Sequence, residues 1–150
     1  MDDLDGGALA ARVDALYADV DEAALVSGSG AAASEWQGPG ALVYGEVTTP
    51  CRIFRALGLC ARDDFADLGS GRGQLVMAAV QREAEEAPRS ALGVELMPAR
   101  HACAAAALER CPDEACRRVS FQCADALGVD LSSVTKVLPF RYLHRDLRLI

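Results

Sequence analysis

The sequence contains no asparagine, and its one lysine, Lys136, stands against fourteen arginines. No apolar run approaches the roughly 20 residues that a membrane-spanning helix needs, which argues against a transmembrane protein. Aromatic residues make up only 5% of the chain whereas 28 residues are alanine, and this favours helices packed on a sheet over an aromatic-rich β-sandwich. The net charge of −7 argues against a domain that binds DNA unaided.

The cysteines and histidines lack the spacing of a metal site. No C-x-x-C motif occurs, and His101 and His144 each stand alone, so no metal centre is predicted. The acidic start of the chain, Met1 to Asp5, lacks the positive charge of a secretory signal, so we expect an intracellular protein in a reducing compartment. Free, mostly buried thiols are therefore predicted for Cys51, Cys60, Cys103, Cys111, Cys116 and Cys123.

The length of 150 residues predicts one domain. Apolar residues at helical spacing over 8–25 predict an N-terminal helix within residues 1–26. The Gly- and Ser-rich stretch 27–40 is typical of a linker. Residues 41–150 then form the predicted main domain.

The main domain alternates predicted helices and strands. Thr49 and Pro50 are typical of the N-cap and first position of a helix, which Gly58 would end. The following pattern predicts strands at 65–68, 91–95, 119–123 and 134–138, with helices at 74–86 and 98–110. This order predicts an α/β fold with a Rossmann-like, doubly wound parallel sheet.

The segment from Asp67 to Gln74 closes the first predicted strand and opens the following helix. Its glycines, Gly69, Gly71 and Gly73, allow a ligand to approach the backbone closely. A dinucleotide-binding turn has the pattern G-x-G-x-x-G and holds a pyrophosphate, whereas this turn is G-x-G-x-G and the carboxylate of Asp67 would repel phosphate. The segment suits a ligand with a cationic amino group and no phosphate, such as S-adenosyl-L-methionine.

Two more acidic residues follow the next two strands. Glu95 ends the second strand and can accept hydrogen bonds from both hydroxyls of a ribose. Asp125 follows the third strand and can accept from an adenine amino group. The alternative interpretation of the glycines alone is an ordinary strand-to-helix turn.

The sequence resembles the class I S-adenosylmethionine-dependent methyltransferases, and among them the disruptor-of-telomeric-silencing (Dot-type) histone-lysine methyltransferases. The resemblance covers about residues 41–138 and rests on Val43-Tyr44-Gly45-Glu46, on Asp67-Leu68-Gly69-Ser70-Gly71-Arg72-Gly73-Gln74 and on Gly93-Val94-Glu95. It implies a loop over the cofactor at residues 44–47, contacts to the cofactor's methionine part at 65–74, and residues that flank the adenine at 125–126. The predicted cofactor-binding residues are Tyr44, Gly45, Glu46, Val47, Phe65, Asp67, Leu68, Gly69, Ser70, Gly71, Gly73, Gln74, Glu95, Asp125 and Ala126.

The resemblance implies methyl transfer from S-adenosyl-L-methionine to a lysine amine of a core histone in the nucleosome. The implied partner is a basic protein, and the implied location is nuclear, or cytoplasmic if the acceptor is not a histone. Without the family pattern, Tyr44 and Glu46 are equally well explained as a packed ring and a solvated carboxylate.

One segment departs from the family pattern. The family has an asparagine-containing segment after the fourth strand, whereas residues 134–140 hold none, so no catalytic residue is predicted. The chain has room for about four strands, so we expect a sheet truncated on its C-terminal side. Two alternatives therefore stay open. The chain is a class I methyltransferase for another protein or a small molecule, or it is a non-catalytic cofactor-binding fragment.

Overall fold

The structure, a computed structural model, describes residues 4–18 and 48–139. Helices and strands alternate along this part of the chain. The α-helices are α1 (Leu4–Ala15), α2 (Thr48–Leu57), α3 (Gln74–Val80) and α4 (Pro98–Arg110). The strands are β1 (Asp64–Leu68), β2 (Ser90–Glu95), β3 (Val119–Cys123) and β4 (Lys136–Pro139), and short 3-10 helices at Glu114–Arg118 and Ala126–Gly128 flank β3.

The described strands form one parallel sheet in the order β3-β2-β1-β4. Asp67 of β1 lies in register between Gly93 of β2 and Leu138 of β4. Because the strands run parallel, their carboxyl ends meet at one edge of the sheet, which we call the carboxyl edge. The predicted α/β fold with a Rossmann-like parallel sheet is confirmed.

A hydrophobic core joins the sheet to the helices that precede β2. The ring of Phe65 in β1 packs edge-on against Phe54 of α2, with ring centroids 6.2 Å apart. The side chains from Leu75 to Val80 in α3 are all buried, and so are Leu9 and Val13 of α1. This packing fixes α3, and with it the glycine turn that leads into α3.

The N-terminal helix differs in its bounds from the prediction over 8–25. It begins at Leu4 and ends at Ala15, followed by a turn through Ala18. The backbone N–H of Tyr17 donates to the carbonyl of Asp14 at 3.0 Å, so the chain tightens into a turn and Tyr17 becomes buried. The rest of this helix prediction, residues 19–26, and the predicted linker 27–40 lie outside the described residues.

Two other helix ends also differ from the prediction. Helix α2 begins at Thr48, so Thr49 is not its N-cap, although Gly58 ends it as predicted with φ of 59°. The helix predicted over 74–86 ends at Val80. The guanidinium of Arg118 donates to the Val80 carbonyl at 3.1 Å and that of Arg12 to the Gln81 carbonyl at 3.0 Å, so side chains satisfy the carbonyls that another turn would use.

The fourth strand, predicted over 134–138, is present as Lys136–Pro139. It pairs with β1 and lies at an edge of the described sheet. Pro139 lacks a backbone N–H, and its place at the last position of an edge strand tolerates this loss.

The cysteines correct one prediction. Cys111 and Cys116 form a disulfide, with Cα atoms 6.4 Å apart, because the 3-10 helix at Glu114–Arg118 folds back on the end of α4. Cys103 is buried, Cys51 and Cys60 are half-buried, and Cys123 is exposed. The prediction of six free, mostly buried thiols is therefore wrong.

No group of three metal-binding side chains comes together within residues 4–18 and 48–139. None of the helices in these ranges combines the length and the apolar character that crossing a membrane requires.

Candidate functional site

A cleft of about 530 Å³ lies at the carboxyl edge of the sheet. The ends of β1, β2 and β4 and the residues after β3 line it. Five residues predicted from the sequence to bind a cofactor lie on its wall, namely Leu68, Gly69, Glu95, Asp125 and Ala126. The cleft therefore lies at the edge of the sheet where these five residues were predicted.

The turn between β1 and α3 requires its glycines. Gly69, Gly71 and Gly73 have φ of 88°, 57° and 81°, a conformation that residues with a side chain rarely adopt. A Cβ added to Gly71 would meet no atom within 4 Å, so this glycine faces open space. A Cβ added to Gly73 would lie 2.5 Å from Cζ of Phe121, so Gly73 is needed for packing against β3.

Glu95 links the glycine turn to the start of α4. It is 5% exposed, and its Oε2 accepts a hydrogen bond of 2.7 Å from the backbone N–H of Gly71. Its Oε1 accepts a bond of 2.8 Å from the N–H of Met97 at the start of α4. Each carboxylate oxygen has a second lone pair, so Glu95 can hold the turn and still accept ligand hydroxyls.

A second buried carboxylate lies on the neighbouring strand. Asp67, near the end of β1, is only 2% exposed, and Ser70 behind it in the turn is fully buried. Asp67 and Glu95 thus bring two carboxylates to neighbouring strands at this edge. A pair of carboxylates favours a cationic group and disfavours a phosphate.

The backbone donors of the glycine turn are largely used within the protein. The N–H groups of Gly69 and Ser70 both donate to the carbonyl of Val94, at 2.8 and 3.0 Å. The N–H of Gly71 binds the carboxylate described above, and that of Gly73 donates to the Ser70 carbonyl at 2.9 Å. Because a pyrophosphate needs free N–H groups in such a turn, this geometry argues against dinucleotide binding.

Asp125 lies on the far wall of the cleft, just after β3. Its Oδ1 accepts a hydrogen bond of 2.9 Å from the N–H of Leu127 and caps the 3-10 helix at Ala126–Gly128. The side chain is exposed, which leaves the carboxylate accessible to a ligand.

Comparisons with known proteins identify the family of this chain. A family described as "Histone methylation protein DOT1" matches residues 25–132. The chain belongs to the DOT1 family. None of the curated proteins compared matches the DOT1-family chain.

Two solved methyltransferase structures, both in complex with S-adenosyl-L-homocysteine, are similar to the DOT1-family chain. An RNA methyltransferase from Salinibacter ruber is 26% identical, with a TM-score of 0.52, over 65% of this chain and 60% of that one. A SAM-dependent methyltransferase from Thiobacillus denitrificans is 26% identical, with a TM-score of 0.39, over 53% of this chain and 30% of that one. The DOT1-family chain thus spans 60% of the length of the first structure.

Family and fold confirm the predicted class. The DOT1-family chain has the class I methyltransferase fold, and S-adenosyl-L-methionine is the cofactor of this class. The residues at and beside the cleft fit this cofactor, because the two buried carboxylates suit a cationic group better than a phosphate and the space beside Gly71 is open.

Phe65 and Gln74, two other predicted site residues of the DOT1-family chain, do not line the cleft. Phe65 is 1% exposed and belongs to the core, where it packs against Phe54. Gln74 is the half-buried first residue of α3. The predicted loop over the cofactor, Tyr44 to Val47, lies outside the described residues.

The cleft wall also contains residues that the sequence did not single out. Leu96 is 52% exposed and Leu127 is 96% exposed, so the wall offers two apolar side chains to a ligand. Met97, Arg100 and Pro139 are three more of these residues. Four of these five residues lie one to five positions after Glu95 or Asp125, and this closeness to a predicted acidic residue is a signal that would have found them. Pro139 reaches the cleft only through the pairing of β4 with β1.

Proposed function

We propose that this DOT1-family chain binds S-adenosyl-L-methionine in the cleft at the carboxyl edge and transfers its methyl group to a lysine amine of a core histone. The observation that carries the proposal is the pair of buried carboxylates, Asp67 and Glu95, beside a turn whose N–H groups are largely bonded within the protein. In this proposal Asp67 binds the ammonium of the cofactor and Glu95 its ribose hydroxyls. Asp125 and Ala126 flank the adenine.

The choice of a histone lysine as methyl acceptor rests on the family and on the net charge of the chain. The cofactor supplies a methyl group that its sulfonium has already made electrophilic, so the protein mainly has to place the acceptor and exclude water. A lysine amine has a pKa of about 10.4 and must lose its proton before it can attack. The net charge of −7 attracts a basic histone segment. A nuclear location belongs to this proposal.

RNA is a second candidate acceptor, because the similar structure from Salinibacter ruber is an RNA methyltransferase. The acidic charge of the chain opposes unaided RNA binding, so the histone remains the favoured acceptor. A cofactor-binding domain without turnover is the third outcome that experiment has to separate.

Calorimetric titration tests the cofactor site. We expect S-adenosyl-L-methionine to bind and NAD not to bind. Asp67→Asn should weaken the affinity for S-adenosyl-L-methionine by about tenfold or more, the effect of losing a charged hydrogen-bond partner. Its affinity for adenosine, which has no ammonium, should stay unchanged. Asp113→Asn, at an exposed cap of a 3-10 helix, is the control. Equal losses for both ligands would contradict the assigned role of Asp67.

Methylation assays with nucleosomes, free histones and RNA test the acceptor. Transfer of label to histone lysine supports the proposal. Transfer to RNA alone, or cofactor binding with no transfer to any of these acceptors, would overturn the histone assignment.

A further inference from the structure

Helix α1 and the turn that follows it contact the chain on both sides of α3, the helix that follows the glycine turn. Near the C-terminal end of α3, Arg12 donates to the Gln81 carbonyl at 3.0 Å. Before its N-terminal end, the hydroxyl of Tyr17 donates to the carbonyl of Arg72 at 2.7 Å. Arg72 is the central residue of Gly71-Arg72-Gly73, so the turn that follows α1 directly contacts the glycine turn that borders the cleft.

The contact between Tyr17 and Arg72 has two parts. Besides the hydrogen bond to the backbone, the guanidinium of Arg72 lies over the ring of Tyr17, 5.2 Å from its centroid. Tyr17 is 6% exposed, and this burial raises the pKa of its phenol well above the ordinary value. The hydroxyl therefore stays protonated at every physiological pH and remains a donor.

Two hydrogen bonds thus hold consecutive residues of the turn. Glu95 binds the N–H of Gly71, and Tyr17 binds the carbonyl of Arg72. Glycines on both sides of Arg72 give this backbone many accessible conformations, so external contacts must select the one observed.

We infer that Tyr17 is a positioning residue for the cofactor, because its hydroxyl presets the turn at Gly71-Arg72-Gly73 in the conformation that binds S-adenosyl-L-methionine. This inference rests on the proposed function. Without the hydroxyl, the turn adopts the binding conformation in only a fraction of the free chains. The apparent affinity for the cofactor then falls in proportion to that fraction.

The experiment compares Tyr17→Phe with Arg12→Ala in the full chain. Tyr17→Phe keeps the ring under Arg72 and removes only the hydroxyl, whereas Arg12→Ala removes a hydrogen bond from the adjoining helix α1 to a carbonyl outside the glycine turn. We expect both variants to lower the Tm of the free protein. Only Tyr17→Phe should raise the Kd for S-adenosyl-L-methionine, by about fivefold, the worth of one hydrogen bond.

Amide hydrogen exchange in the free protein is the second readout. Tyr17→Phe should speed exchange at Gly71 and Gly73, and Arg12→Ala should not. An unchanged Kd in Tyr17→Phe, or equal increases of Kd in both variants, would overturn the inference. If the unmodified chain fails to bind S-adenosyl-L-methionine, the proposed function fails. Exchange rates then decide separately whether Tyr17 presets the turn, and unchanged rates at both glycines would overturn that as well.

Discussion

The carboxylate of Glu95 accepts the backbone N–H of Gly71 at 2.7 Å, so the residue proposed to hold the ribose also holds the glycine turn. Its other oxygen accepts the N–H of Met97. Both oxygens therefore accept hydrogen bonds from backbone N–H groups, an arrangement that suits a carboxylate because both of its oxygens are acceptors.

Replacing Glu95 with Gln should harm both stability and cofactor binding. The amide has one acceptor oxygen, so its NH₂ group would face either Gly71 or Met97, which are both donors. We expect the free energy of unfolding to fall by about 1–3 kcal/mol and the affinity for S-adenosyl-L-methionine to fall with it. Urea unfolding and calorimetry measure the two effects, with the exposed Glu83→Gln as control. Unaltered stability would show that Glu95 does not organise the turn.

Gly93 in β2 should tolerate no side chain. A Cβ there would lie 2.5 Å from Cδ1 of Phe121 and 2.8 Å from Oγ of Ser70. Gly93→Ala should destabilise the protein by about 1–3 kcal/mol through overpacking, while Gly128→Ala, which adds a methyl group in open space, should have little effect. In a Phe121→Ala background the same change at Gly93 should cost less. Thermal unfolding of the four variants tests this, and an equal cost in both backgrounds would refute the clash.

Two carboxylates at the N-terminal ends of the strands, opposite the cleft, should make the protein less stable in acid. The guanidinium of Arg89 and the hydroxyl of Ser90 bind Asp64 and lower its pKa from 3.8 to about 2. Burial alone would raise the pKa of Asp63, but hydrogen bonds from the Cys60 N–H and the Thr135 hydroxyl lower it overall.

Because the folded-state pKa of Asp64 is depressed, its contribution to stability is present above pH 3.8 and is lost as the pH falls towards about 2. Asp64→Asn should therefore flatten the fall of Tm over this window, while the exposed Glu109→Gln should not. A curve for Asp64→Asn that is parallel to that of the unmodified chain would contradict the assignment.

The disulfide predicts a count of reactive thiols. Iodoacetamide should modify four cysteines in the unfolded, unreduced chain and all six after reduction. Mass spectrometry of the alkylated chain and of its peptides should find Cys111 and Cys116 unmodified before reduction. Six modified cysteines before reduction would show that the pair is not bonded.

The alternation of strands and helices could be predicted because it depends on local patterns. Helix Pro98–Arg110 and strand Val119–Cys123 have the predicted bounds, since proline and short apolar runs mark their limits. The end of α3 at Val80 could not be predicted, because it depends on Arg118 and Arg12, which are far away in the sequence.

The candidate site also combines features that the sequence predicts with features that it does not. The acidic residues at strand ends could be found from the sequence, because the carboxyl ends of parallel strands meet at one edge. The hydrogen bond between Gly71 and Glu95 joins residues that are 24 positions apart in the sequence. The contact of Tyr17 with Arg72 spans 55 positions. Such contacts follow from tertiary packing, and no local pattern signals them.

The central position of β1 has a consequence for synthesis on the ribosome. Its neighbour β2 follows after a short helical connection, but the bond that anchors β4 beside β1, from Thr135 to Asp63, spans 72 residues. Short loops close before long ones, so we expect the β1–β2–β3 unit to form while β4 is still inside the exit tunnel. Ribosome-bound chains halted at a length at which β3 has emerged and β4 has not should show native amide protection in β2 but not beside β4. The nascent chain would thus acquire most of its glycine turn early and complete its cleft only when Pro139 emerges.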